Sequence, residues 1–105
     1  MVFGQLETMV KQEHEVAVIE LHGGVNAAAE RSVNAAYAEA VHENPDAVML
    51  DFSGVDYMNS AGIALIVGLM GQTRKSGRRL LARGLTEHYQ RIFQTTRLSD
   101  FMTMV

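Results

Sequence analysis

The sequence predicts an α/β fold: one domain of a mixed four- to five-stranded β-sheet packed with about three to four helices, in the order β-β-α-β-α-β-α-(β). Three observations carry this expectation. Short apolar runs rich in β-branched residues alternate with longer segments whose apolar residues recur at helical spacing. Gly23-Gly24, Asn44-Pro45, Gly77 and Gly84 punctuate that alternation. The chain has 105 residues, 48% of them apolar, which suits one core across residues 1–105. Strands that alternate with helices of this length imply a sheet joined by right-handed crossovers.

The elements follow in order. Residues 5–11 and 16–22 read as two strands around a polar turn, with Gly23-Gly24 breaking the second. The second strand is apolar on both faces and belongs inside the sheet. Asn26 is suited to N-cap a helix running to about Glu43, where Asn44-Pro45 stops it, because a residue before proline is pushed out of helical backbone. A buried strand at 47–52 and a bend over 53–59 lead to Ser60. From there Ile63, Ala64, Ile66, Val67 and Met70 mark a helix apolar enough to be covered on both sides. Gly68 and Gly71 suggest close approach of that helix to the sheet. Arg74 and Lys75 complement its C-terminal dipole and Gly77 fits the position after its end. A short strand at 79–83, a break at Gly84, and a helix capped by Thr86 that buries Tyr89, Ile92 and Phe93 follow. Residues 101–105 form a last edge strand or a tail.

Composition narrows the function classes. With no cysteine, disulfides, cysteine-ligated zinc and thiol catalysis are excluded. There is no secretory signal pattern, and no apolar run approaches the ~20 residues that span a bilayer, so a cytoplasmic domain without membrane contact is expected. The net charge of −3 is unevenly spread: residues 1–73 carry ten acidic and two basic side chains, residues 74–105 two acidic and seven basic. That basic end reads either as a solvated edge with helix C-terminal charges or as a patch for an acidic partner. Nucleic acid is not expected, because the domain is acidic overall and no aromatic residues interleave with the arginines.

Catalytic constellations are sparse. Ser60 lies between Met58-Asn59 and Ala61-Gly62, not in a Gly-x-Ser-x-Gly elbow, and His88, its nearest candidate base, sits in the third helix. The four histidines lack metal-ligand spacing, and the glycines form no phosphate loop. Asp51 and Asp56 are five apart across the expected bend, where Asp51 is better placed to satisfy loop amides than to share acid–base work. No enzyme, no metal and no cofactor is therefore expected.

Ser60 has two compatible readings. As an N-cap its oxygen accepts from an amide two or three residues on, worth about 1 kcal/mol. As a modification point, a phosphate on its hydroxyl would be held by the amides of Ala61, Gly62 and Ile63 at the positive end of the helix, with Gly62 leaving room. Both Asn26 and Ser60 follow strand C-terminal ends, where sites in open α/β sheets form, so the two are expected as neighbours. Met58 is expected beside them as an exposed, adaptable contact.

Leu50-Asp51-Phe52-Ser53-Gly54-Val55, followed by Tyr57-Met58-Asn59-Ser60-Ala61-Gly62-Ile63, resembles the signature of STAS domains, the sulfate-transporter and anti-sigma-factor-antagonist family. Gly23-Gly24-Val25-Asn26 and Arg91-Ile92-Phe93 resemble two further family segments, so the likeness covers nearly the whole chain. It implies a stand-alone anti-sigma factor antagonist. Such a protein binds an anti-sigma factor that is also a serine kinase, is phosphorylated on the serine matching Ser60, and is reset by a serine phosphatase. The contact residues implied are Asn26, Met58, Asn59, Ser60, Ala61, Gly62 and Ile63, with no cofactor needed; a monomer is the default expectation. Asn26 and Asn59 stand where the family commonly has aspartates, and Ala61 replaces a second hydroxyl. The alternative is a non-catalytic STAS subunit of a lipid-transport ABC complex with Ser60 as a helix N-cap. A nucleotide- or lipid-sensing module and a small hydrolase are weaker alternatives.

Overall fold

A computed structural model of the chain describes residues 5–105. Strands β1 (Glu7–Glu13) and β2 (Val16–Val25) form an antiparallel hairpin, with His14 in left-handed backbone (φ 60°) at the turn. A short 3-10 turn at Ala27–Ala29 enters helix α1 (Glu30–Val41), and β3 (Ala47–Met58) leads into α2 (Ser60–Lys75). Strand β4 (Arg79–Arg83), helix α3 (Glu87–Thr95), a second 3-10 turn (Leu98–Phe101) and β5 (Thr103–Met104) complete the chain. The single sheet has the order β1-β2-β3-β4-β5, parallel from β2 onward, so the last edge strand does form.

Each parallel crossover steps to the next strand in the same direction. With right-handed connections this places the helices on one face of the sheet. The packing agrees: Ala17, Ile19 and Leu21 of β2, Val48, Leu50 and Phe52 of β3, and Leu80 and Ala82 of β4 join one core cluster with Val33, Ala36 and Ala40 of α1, Ile66 and Leu69 of α2, and Phe93 of α3. Alternate residues point to the other face. There Val18, Met49 and Leu81 form a lateral row, with Lys11 paired to Glu20 (2.8 Å) and Arg83 to Asp51 (3.1 Å) on the flanking positions.

Three expectations differ. The strand at 47–52 extends to Met58 in place of the bend at 53–59, because its second half pairs with an equally extended β2: His22 with Gly54, Gly23 with Val55, Gly24 with Tyr57 and Val25 with Met58. Gly23-Gly24 therefore does not break the strand. The register shifts between Glu20 and His22 and again between Gly23 and Gly24, and Gly23 (φ 111°) supplies the backbone that such an irregularity needs. The first helix begins as a 3-10 turn and stops at Val41, short of Glu43, with Asn44 left-handed at φ 53° before Pro45. The third difference is in α2, where Ala64, Val67, Gly68 and Gly71 are exposed and the helix covers the core on one side only. A Cβ added at Gly68 or Gly71 would meet nothing within 4 Å, so neither glycine is there for close packing on the sheet.

Candidate functional site

Strand β4 pairs with β3 only as far as Asp51, whereas β2 stays with β3 to Met58. The ends of β2 and β3 thus project as a two-stranded arm beyond the rest of the sheet. The Val25–Met58 pairing sets Asn26 and Asn59 side by side at its tip, and the Asn59 amide donates to the Val25 carbonyl (3.3 Å). Both asparagines have extended backbone and both cap: Asn26 Oδ1 accepts from the Ala28 amide (2.9 Å), and Asn59 Oδ1 accepts from the Gly62 amide (2.9 Å).

Asn59, not Ser60, is therefore the N-cap of α2. Ser60 is the first helical residue, exposed, and its hydroxyl has no hydrogen-bond partner among the described residues. Two of the three amides expected to hold a phosphate are already engaged by Asn59, Gly62 through its side chain and Ile63 through its carbonyl (2.9 Å). Gly62 does not leave room either. It is buried, and a Cβ there would clash with the Val25 carbonyl, so the glycine lets α2 start against the end of β2.

Met58 is also misplaced by sequence reasoning: it is buried, 4% exposed. Its backbone is held by α3, whose Tyr89 hydroxyl accepts from the Met58 amide (2.9 Å) and lies 3.3 Å from the Met58 carbonyl. Thr86 caps α3 as expected, accepting from the Tyr89 amide (3.3 Å). The exposed surface that continues from Ser60 is instead Ala64, Val67 (41% exposed), Gly68 and Gly71, spaced three and four apart along α2. The paired small residues in an otherwise apolar helix were the sequence signal for it. Asn26, Asn59, Ala61 and Ile63 are half-buried around Ser60.

Asp51 satisfies an amide, as expected, and does more. One carboxylate oxygen accepts from the Ser53 amide (3.0 Å) and hydroxyl (2.6 Å), the other from Arg83 Nε (3.1 Å). Partial burial pushes its pKa up, but the Ser53 hydrogen bonds and Arg83 outweigh that and hold the carboxyl below its ordinary value. Asp51 thus braces the base of the arm against β4. His88 is exposed in α3 with its ring tilted against Tyr89 (5.1 Å between centroids). Among the described residues no three His, Asp or Glu side chains converge as a metal site requires, and no helix is long and apolar enough to cross a membrane.

Fold and sequence together define a STAS domain. The chain belongs to that family: the family model described as "Mlab, STAS domain" matches residues 8–105. Among curated proteins it is similar to the anti-sigma-F factor antagonist RsfB of Mycobacterium tuberculosis, in strains CDC 1551 / Oshkosh and ATCC 25618 / H37Rv. The identity is 30% over 78 residues, covering 71% of this chain, and the chain spans 62% of the length of those relatives. Among solved structures, an anti-sigma factor antagonist from Mycobacterium paratuberculosis superposes with a TM-score of 0.74 at 21% identity, covering 95% of this chain and 85% of that one. The anti-sigma factor antagonist SpoIIAA matches in its unphosphorylated form (TM-score 0.72, 19% identity, 94% and 87% covered). Its phosphorylated form, from Bacillus, matches as well (TM-score 0.71, 20% identity, 94% and 91% covered).

Proposed function

We propose that this chain is an anti-sigma factor antagonist that works as a partner switch without catalysis of its own. Unmodified, it binds an anti-sigma factor that is also a serine kinase; that kinase phosphorylates Ser60 and the complex separates; a serine phosphatase restores the binding form. The observation that carries this reading is the free, exposed hydroxyl of Ser60 at the first position of α2, beside the paired caps Asn26 and Asn59 and above the exposed stripe of that helix. A hydroxyl committed to capping would be a poor acceptor for a kinase. Here Asn59 caps and Ser60 is left over. The transport-subunit alternative assigns Ser60 the cap that Asn59 supplies.

The physical mechanism follows from charge. Phosphorylation adds about −1.5 to −2 charge at one point. With the Gly62 and Ile63 amides already engaged, the domain offers little to neutralise it. The dianion's cost therefore falls on the docked interface, where it must be desolvated. Each ~1.4 kcal/mol is tenfold in affinity, so a hundredfold loss needs no refolding. The similar match to both forms of SpoIIAA supports a switch that leaves the fold in place.

The test is intact-mass measurement with peptide mapping after incubation with the cognate anti-sigma kinase and ATP, together with partner binding by Ser60→Asp and Ser60→Ala. One phosphate on Ser60, weak binding by the Asp variant and sustained binding by the Ala variant are expected. Equal binding by both variants overturns the mechanism.

A further inference from the structure

The far end of α2 carries a second surface. A groove of about 320 Å³ opens between the last turn of α2, the start of β4 and the segment before β5. Its floor is apolar, made by Met70, Leu80 and Met102, and its wall is Phe101, 47% exposed. Its rim is cationic, carrying Arg74, Arg78 and Arg79.

The rim is built in advance. The Arg74 guanidinium lies over the Phe101 ring at 5.1 Å. Arg78 is held by Asn44 Oδ1 (2.7 Å) and the Pro45 carbonyl (3.1 Å), neutral acceptors that leave its charge uncompensated. Arg74 and Arg79 have no carboxylate partner among the described residues. The one carboxylate lining the groove, Asp100, faces Arg97 at 3.4 Å. Complementing the dipole of α2 does not require this many charges, because the carbonyls of Gln72, Thr73 and Arg74 are already taken by the amides of Ser76, Arg78 and Gly77. Fixed cations around an apolar floor spare a ligand much of the ordering cost of binding.

We infer that this groove is a second docking site, independent of Ser60, for an acidic segment of a protein partner that places an apolar side chain on the floor and carboxylates on Arg74, Arg78 and Arg79. Its chemistry is that of a peptide: the floor selects an apolar anchor that a polyanion lacks, and the rim selects the flanking acids. From Ser60 to Arg74 is about 20 Å along α2 at 1.5 Å per residue, so both ends can be occupied together. The domain then acts as a two-ended adaptor, switched at one end and tethered at the other.

Fluorescence anisotropy tests this with the full chain and a labelled peptide in which a Leu-Phe pair is flanked on both sides by glutamates. Binding is expected to fall at least tenfold with Arg79→Glu, with Phe101→Ser, and when the Leu-Phe pair is replaced by Ser-Ser, and to stay unchanged with Ser60→Asp. Arg79 and Phe101 are exposed, and an unaltered unfolding midpoint checks that each variant folds. No binding by the wild type overturns the inference. So does equal binding of the Ser-Ser peptide, or displacement of the peptide by RNA at lower concentration than by unlabelled peptide, since either marks a surface that collects any polyanion.

Discussion

The Tyr89 hydroxyl takes up both hydrogen-bonding groups of the Met58 backbone, accepting from the amide at 2.9 Å and facing the carbonyl at 3.3 Å, across 31 residues of chain. Met58 is the last residue of β3, beyond the reach of β4, and the next two residues are the α2 cap and the exposed serine. One phenol thereby fixes the height and direction at which Ser60 is presented. Tyr89→Phe keeps the ring and removes the bond. Leaving a part-buried amide unpaired costs about 1–3 kcal/mol, to be read as a lowered urea midpoint, with faster hydrogen exchange at Met58. An unchanged midpoint and exchange rate would show that Tyr89 contributes only its ring.

Two glycines in α2 are expected to respond oppositely to alanine. At Gly62 the new Cβ meets the Val25 carbonyl, a backbone atom that cannot swing away. Overpacking of this kind costs about 1–3 kcal/mol or more. At Gly68 the Cβ enters open space, and helix propensity favours alanine by about 1 kcal/mol. Thermal unfolding of Gly62→Ala and Gly68→Ala measures both, and a stabilised Gly62→Ala would contradict the geometry.

How far the chain could be read in advance depends on where each determinant lies. Element order, the Thr86 cap and the buried second strand were legible, because each follows from local spacing or from one residue's backbone preference. The length of β3 was not, since its last six residues are strand only by pairing with β2. The α2 cap was not either. Asn59 and Ser60 are both capping residues, and what separates them is the Asn59 amide's bond to Val25, which holds Asn59 extended and leaves Ser60 helical. Met58 was misread for the same reason: its environment is set by Tyr89, remote in sequence. Ser60 stands out from local pattern, while the freedom of its hydroxyl from capping comes from contacts between distant segments.

Asp51 makes part of the stability depend on acid. Its folded pKa lies below its unfolded value, so between the two the unfolded chain binds more protons and stability rises with pH. The contribution is complete above about pH 4 and is lost as pH falls through the folded value. Asp51→Asn should flatten this limb in urea unfolding between about pH 2 and pH 5, and Arg83→Gln should flatten it partly. Superimposable limbs for wild type and Asp51→Asn would remove Asp51 from this role.

Val67 separates docking from folding. It lies on the α2 stripe below Ser60 and is 41% exposed, so Val67→Glu should change stability by no more than about 0.5 kcal/mol. If the partner seats on Ser60 and this stripe together, the glutamate puts an unpaired charge under an apolar contact and should weaken binding tenfold or more, about 1.4 kcal/mol. It does so without touching the Ser60 hydroxyl. Titration calorimetry with the proposed anti-sigma partner reads the effect directly. Full affinity in Val67→Glu alongside lost affinity in Ser60→Asp would confine the interface to the arm formed by the ends of β2 and β3. Loss in both would extend it down α2, where Gly68 and Gly71 then let the partner's backbone come close to the helix.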